Sequence, residues 1–410
     1  MRVAIFTFTR AEYSYLRNAI KRLVSADGIE ADVFVGGMHL ASSYGYTANE
    51  VRKDIEDFYH LSFLLDGDTP GMFSKSVGVG ITSLASVMEN QKVPYDYVII
   101  LGDRYELYIA TVVAMLWRIP IIHISGGERT EGLIDEQVRH SITKMAHIHI
   151  VSTETYAENV SRMGEEDWRI HILGAASIEN IYTTPLMPLE EILESTGVDM
   201  SKPTLMVTYH PVTLDIDTPP DVQVKNLINA LSRFPFQVVF TSPGAETGRN
   251  AIVEVMKDAV RRREGWYFFT SLGYRRYLSM VKHSIGVVGN SSSGIIEVPS
   301  LGVPTLNIGD RQKGRVAAES VVHVGYGEKE IVGGIRKITS DDFRKRINVI
   351  FNPYDPYGDG RFSDRFLEII RRLPTDTGGK KRMLRKQLDF NVKRECWNYY
   401  LKGGEDCEVV

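Results

Sequence analysis

Several segments of this 410-residue chain carry side chains suited to holding a phosphate or moving a proton. The run Gly289-Asn290-Ser291-Ser292-Ser293-Gly294-Ile295-Ile296-Glu297 follows the apolar stretch Ile285–Val288, which reads as a buried strand. A strand that ends in small residues and opens a helix presents unpaired N–H groups at the positive end of the helix dipole. Serines and glycines there let an anion approach closely. Glu297, one turn on, is a carboxylate able to accept both hydroxyls of a ribose. The plainer reading of the same stretch is a serine-rich helix cap. A second strand end, Asn307-Ile308-Gly309-Asp310-Arg311-Gln312-Lys313-Gly314-Arg315, brings three basic side chains that suit a diphosphate. His210, in Thr208-Tyr209-His210-Pro211-Val212-Thr213, follows another strand and fits either a proton donor or a diphosphate contact.

Carboxylates gather in the first half. Asp103, in Gly102-Asp103-Arg104, ends an apolar strand; it sits at the mouth of a site or else caps the next helix. Gly126-Gly127-Glu128 follows another strand, with glycines that allow close backbone approach. Asp135 and Glu136 open a helix that also carries Arg139 and His140. Asp135 and Arg139 are four apart, so they share a face, as a simple ion pair would. Crowded carboxylates raise one another's pKa, which suits an acid and base pair near neutrality. Arg10 and Ser14 follow the first strand, a common place for a phosphate contact. No G-x-G-x-x-G, Walker A or G-x-S-x-G pattern accompanies these residues. His123, His140, His147 and His149 show no metal-ligand spacing, and two of them read as core residues of apolar strands.

The elements that must position these groups alternate. Strands are expected at Val3–Phe8, Ala31–Val35, Tyr97–Leu101, Ile119–Ile124, His147–Val151 and Ile170–Leu173. Helices Glu12–Val24, Phe73–Asn90, Leu107–Trp117, Asp135–Ala146 and Thr153–Met163 lie between them. The pattern breaks at the linker-like Thr184–Pro188, before an exposed helical piece. It restarts with strands Thr204–Thr208, Gln237–Thr241, Trp266–Phe269, Ile285–Val288, Thr305–Ile308 and Val321–Val324, separated by helices Val222–Arg233, Ala251–Arg262 and Arg275–Lys282. This is an α/β chain with two parallel sheets, expected to bind its ligand in a cleft between halves. The expected division is 1–182, 183–365 and a tail 366–410, in which Phe366–Leu373 is a helix returning to the first domain. The basic run around Lys380-Lys381-Arg382 and the aromatic Trp397–Tyr400 read as a solvated or oligomer-facing tail.

A formal net charge of −4 gives no footprint for nucleic acid or an anionic membrane. Two cysteines, Cys396 and Cys407, make neither a disulfide framework nor a zinc site and fit a reducing cytoplasm. The opening apolar run is too short for a signal peptide core, and no run approaches a membrane span.

Taken together, the motifs resemble the hydrolysing UDP-N-acetylglucosamine 2-epimerases of sialic-acid and related nonulosonate synthesis. The resemblance rests on T-R-A-E-Y-S at Thr9–Ser14, G-D-R at Gly102–Arg104, H-I-S-G-G-E at His123–Glu128 and I-D-E-x-x-R-H at Ile134–His140. It continues through H-P-V-T at His210–Thr213, G-N-S-S-S-G-I-I-E at Gly289–Glu297 and N-I-G-D-R-Q-x-G-R at Asn307–Arg315. It covers Arg2 to about Phe366. It implies a GT-B-like pair of Rossmann-like domains, no cofactor, no metal, and a homodimer or homotetramer. By resemblance Ser291, Ser292, Arg311 and His210 contact the diphosphate, assisted by Arg10, Ser14 and Arg104, while Glu297 binds the ribose. Asp103, Glu128, Asp135 and Glu136 surround the sugar, with Arg139 orienting them. Ser125 stands where many members carry a catalytic glutamate, so either Glu128 supplies that function or the acid and base roles differ. Other readings are the same reaction on UDP-2,4-diacetamido-2,4,6-trideoxyglucose, a non-hydrolysing epimerase, a GT-B glycosyltransferase, or a silent nucleotide-sugar sensor.

Overall fold

Alternate residues of the apolar runs point to opposite faces, and helices cover both. In the computed structural model, which describes residues 1–67, 69–131, 134–212, 218–243, 248–347 and 351–386, this produces two units with a sheet each. The first comprises Met1–Glu128, Asp135–Asn180 and Arg361–Val410, and the second Arg129–Ile134 and Ile181–Gly360.

The first sheet contains β1 (Arg2–Thr7), β2 (Glu30–Gly36), β3 (Tyr59–Leu61), β4 (Tyr97–Leu101), β5 (Ile121–Ile124), β6 (Ile148–Val151) and β7 (Ile170–Ile172). Their order is β3-β2-β1-β4-β5-β6-β7, with every neighbouring pair parallel. Val3, Ile5, Ile99 and Leu101 face helices Arg10–Val24 and Phe362–Arg372; Ala4, Phe6, Val98 and Ile100 face helices Leu107–Leu116 and Asp135–Met145. The second sheet contains β8 (Thr204–Thr208), β9 (Gln237–Thr241), β10 (Trp266–Phe269), β11 (Gly286–Gly289), β12 (Thr305–Ile308) and β13 (Val321–Val324). Its order is β10-β9-β8-β11-β12-β13, again all parallel. In each sheet the strand order reverses once, between β1 and β4 and between β8 and β11. Such reversals open a crevice at the carboxyl ends of the strands, where α/β proteins place ligands.

The structure departs from the sequence expectations in specific places. β3 had no signal, being three residues long with its first two exposed at a sheet edge. Helices Ala176–Thr183, Glu328–Ile338 and Asp341–Ile347 were not foreseen. The first helix starts at Arg10 rather than Glu12, because the Thr9 hydroxyl caps it by accepting from the Glu12 N–H. The expected helix after the serine run shrinks to Ser292–Ile296, followed by a 3₁₀ turn at Val298–Leu301. Part of the basic tail is not a solvated arm. Helix Thr377–Leu384 packs on the first unit: Lys380 pairs with Asp96, and Arg169 donates to the Met383 carbonyl. Lys386 Nζ reaches the buried Glu165 at 2.7 Å and the carbonyls of Lys144 and Ala146. Burial works against the Glu165 charge, yet the hydrogen bond from His149 and the nearby ammonium of Lys386 hold it at about 2. Cys396, Trp397–Tyr400 and Cys407 lie outside the described residues. Among the described residues no helix is long and apolar enough to cross a membrane.

Candidate active site

In the first unit Arg139 organises the carboxylates. It projects from helix Asp135–Met145 and has no exposed surface. Its Nε donates to Asp103 at 3.0 Å and its Nη2 also reaches Asp103. Nη1 donates to Glu136 and to the backbone carbonyl of Glu128, both at 2.8 Å. This resolves two readings left open by sequence. Asp103 does not cap helix Leu107–Leu116, whose N-cap is Glu106 with no side-chain cap bond. Beyond any pairing within its own helix, Arg139 joins the ends of β4 and β5 to that helix. A buried guanidinium with a fixed fork of donors can hold several oxygens at once. The Glu136 carboxylate also meets His140 Nε2 at 2.9 Å.

The backbone around these groups is shaped by tight local geometry. Gly127 has φ +75°, and a Cβ there would sit 2.5 Å from the Tyr156 carbonyl oxygen. Only glycine therefore fits before the buried Glu128. Ser125 also has a left-handed φ of +66°, held by its N–H on the Ile150 carbonyl at 2.8 Å. His123, within β5, bonds the Gly102 carbonyl through Nε2 at 2.8 Å and Thr143 through Nδ1 at 3.2 Å. A carbonyl can only accept, so Nε2 carries the proton. Burial lowers the His123 pKa to about 4, leaving the ring neutral as it fixes the residue before Asp103.

Arg104 does not stand open toward a ligand with its whole fork. Its Nε and Nη2 bond Glu106 at 3.1 and 2.9 Å. Burial opposes its charge, but Glu106, Glu12 and Asp135 outweigh this and hold the guanidinium firmly protonated. Glu12, buried beside Glu106, accepts from the Phe8 N–H at 2.7 Å; burial and the Glu106 charge push its pKa up to about 8. Arg10 is exposed as the first residue of its helix, and the half-buried Ser14 gives its carbonyl to Asn180 Nδ2 at 2.8 Å.

In the second unit the sequence-predicted residues cluster at the β8/β11 reversal. His210 follows β8, Ser291 and Ser292 follow β11, and Arg311 follows β12. Ser291 is the N-cap of helix Ser292–Ile296, its hydroxyl accepting from the Ser293 N–H. Glu297 is buried at the end of that helix with Tyr274 Oη 3.5 Å away, while Tyr277 bonds Ser293 at 3.0 Å. Gly289 has φ +137°, and a Cβ there would lie 2.0 Å from the Thr208 carbonyl oxygen. β11 thus leaves the sheet almost in contact with the end of β8. Thr213 lies outside the described residues. No group of three or more His, Cys, Asp or Glu among the described residues is arranged to hold a metal ion.

A family model for UDP-N-acetylglucosamine 2-epimerase matches residues 21–371. The chain belongs to that family. It is 36% identical over 359 residues to the polysialic acid biosynthesis protein P7 of Escherichia coli, covering 87% of this chain and 90% of the relative. It is 31% identical over 346 residues to the hydrolysing GDP/UDP-N,N'-diacetylbacillosamine 2-epimerase of Campylobacter jejuni subsp. jejuni, covering 84% and 89%. Among solved structures it superposes on a UDP-GlcNAc 2-epimerase from Neisseria meningitidis bound to UDP-GlcNAc with a TM-score of 0.75. That match has 19% sequence identity and covers 91% of this chain and all of the other, so the two share the GT-B-like fold.

Two contributors escaped the sequence reading. His123 was legible as buried but not as a tether of the Asp103 loop. Asn290 was hidden among small residues of the serine run, yet it is fully buried at the centre of the second cluster. A buried carboxamide flanked by glycine and serines was the available signal, since such a group must find partners.

Proposed function

We propose that this chain is a hydrolysing UDP-N-acetylglucosamine 2-epimerase, converting UDP-GlcNAc and water into N-acetylmannosamine and UDP. One observation carries the reading: buried Arg139 gathers Asp103, Glu136 and the Glu128 backbone at the carboxyl ends of β4 and β5. That arrangement supplies oriented carboxylates, which suit proton removal and return at carbon. In the proposed route one carboxylate takes the proton from C2, the C1–O bond breaks, and its electron pair leaves with the diphosphate. The product is a 2-acetamidoglycal with a C1–C2 double bond. Water then adds at C1 while an acid protonates C2 from the opposite face, which inverts C2 and frees the sugar. His210, Ser291, Ser292 and Arg311 hold the diphosphate as it gains charge, with Arg10 and Ser14 assisting. Glu297 takes the ribose. Arg104, committed to Glu106, acts by holding the first cluster together.

The relative named for a diacetylbacillosamine sugar supports a second reading, the same chemistry on a UDP-linked 2,4-diacetamido-2,4,6-trideoxy sugar. Incubation with each nucleotide sugar separates the two. Free N-acetylmannosamine plus UDP from UDP-GlcNAc supports the first. Turnover of the 2,4-diacetamido substrate alone supports the second. Epimerised sugar still attached to UDP would contradict both.

A further inference from the structure

Asn290 has no exposed surface and makes contacts in three directions. Its side-chain Oδ1 accepts from the His210 N–H at 2.7 Å, and its Nδ2 donates to the His210 carbonyl at 2.9 Å. Its backbone N–H continues the β11/β8 ladder onto the Thr208 carbonyl at 3.1 Å. Its carbonyl accepts from Gln312 Nε2 at 2.9 Å and from Arg311 Nη1 at 3.3 Å. Ser291, the next residue, is the helix cap.

We propose that Asn290 is the positioning residue of the second unit, fixing His210 through its carboxamide and Arg311 through its carbonyl. The proposal rests on the nucleotide-sugar reading, in which these two side chains meet the diphosphate. The chemistry restricts the residue type. His210 precedes Pro211, which has no N–H, so the chain cannot continue a ladder of its own there. Both backbone groups of His210 need a partner, one donor and one acceptor at a fixed spacing. A carboxamide supplies both from two separate atoms on a planar fork, whereas a hydroxyl must offer them from a single oxygen. Aspartate keeps the acceptor, loses the donor, and adds a negative charge beside the anion site. Gln312 is itself buried and shares the Asn290 carbonyl with Arg311, so it keeps that carbonyl turned toward the β12 loop.

The test uses the full chain as wild type and as Asn290→Ala, Asn290→Asp, His210→Ala and Asn290→Ala/His210→Ala. Thermal melts identify variants that remain folded. Two hydrogen bonds to one backbone unit correspond to a loss of roughly ten- to thirtyfold in turnover efficiency for Asn290→Ala. A residue acting through His210 predicts that the double variant is no worse than His210→Ala within about threefold. Losses that multiply would overturn the proposal, as would an Asn290→Ala enzyme with wild-type kinetics. If Asn290→Ala does not fold, Asn290→Ser with and without His210→Ala carries the same comparison, with no charge added at the site. Independently of activity, the His210 backbone amide, which donates to Asn290, should exchange with deuterated solvent faster in the folded Asn290→Ala variant and not in the surface variant Lys202→Ala. Unchanged exchange at His210 would overturn the clamp. A wild-type protein that fails to bind UDP would instead remove the nucleotide reading, so the two failures are distinguishable.

Discussion

Arg139 is buried, and its donors are shared among Asp103, Glu136 and the Glu128 carbonyl. On the proposed reading, the proton-transfer groups are ones whose removal should slow chemistry without loosening the nucleotide. Asp103→Asn, Glu128→Gln and Asp135→Asn are each expected to lower turnover about a hundredfold or more. Calorimetric UDP titrations of the same variants should stay near wild type. Near-normal turnover in all three would remove the proposed acid and base. Glu12 makes a separate prediction about stability. Its native pKa of about 8 lies above the unfolded value, so the native state keeps a proton that the unfolded chain has lost. That contribution is full below about pH 4.5 and disappears as pH rises to about 8, at up to roughly 1.4 kcal/mol per unit. Glu12→Gln should therefore flatten the fall of Tm between pH 5 and 8. Parallel curves for the two proteins would show that Glu12 does not hold its proton.

At the scale of elements, the proposed reading gives the ends of β8, β11 and β12 to the diphosphate. Ser291→Ala, Glu297→Ala and Arg311→Ala should each weaken UDP binding. The arginine matters most, by about 1.5–3 kcal/mol, because its contact is charge-assisted. Unchanged titrations in all three would contradict the phosphate reading of these strand ends. The C-terminal segment braces helix Asp135–Met145 through Lys386 on the Lys144 and Ala146 carbonyls. Lys386→Met should lower unfolding free energy by roughly 1–3 kcal/mol in a denaturant melt; an unchanged midpoint would contradict the bracing. Strands Tyr97–Leu101 and Thr204–Thr208 were legible to the residue because both faces are buried and their apolar runs are continuous. β3 was not legible, since a half-exposed edge strand of three residues has no periodicity. The partners of Asp103 and the clamp by Asn290 were equally out of reach. Each joins residues distant in sequence, and only the parallel order of the strands brings them together.

At the scale of the whole molecule, there are two parallel sheets with one order reversal each, and the proposed route gives each unit its own task. The first unit carries the carboxylates assigned to C2, and the second carries the groups assigned to the leaving diphosphate. No step of the proposed route calls for a redox carrier or a Lewis acid. Treatment with EDTA is therefore expected to leave turnover unchanged, and strict dependence on a divalent cation would recast the carboxylates as ligands. The central claim is that the C2–H bond is broken and remade from solvent. It is tested most directly by running the reaction in deuterated water and reading C2 of the released sugar by NMR or mass spectrometry. The account predicts one deuterium at C2 in every product molecule, with loss of label from substrate deuterated at C2. Retention of the original C2 hydrogen would contradict elimination and leave only chemistry at C1.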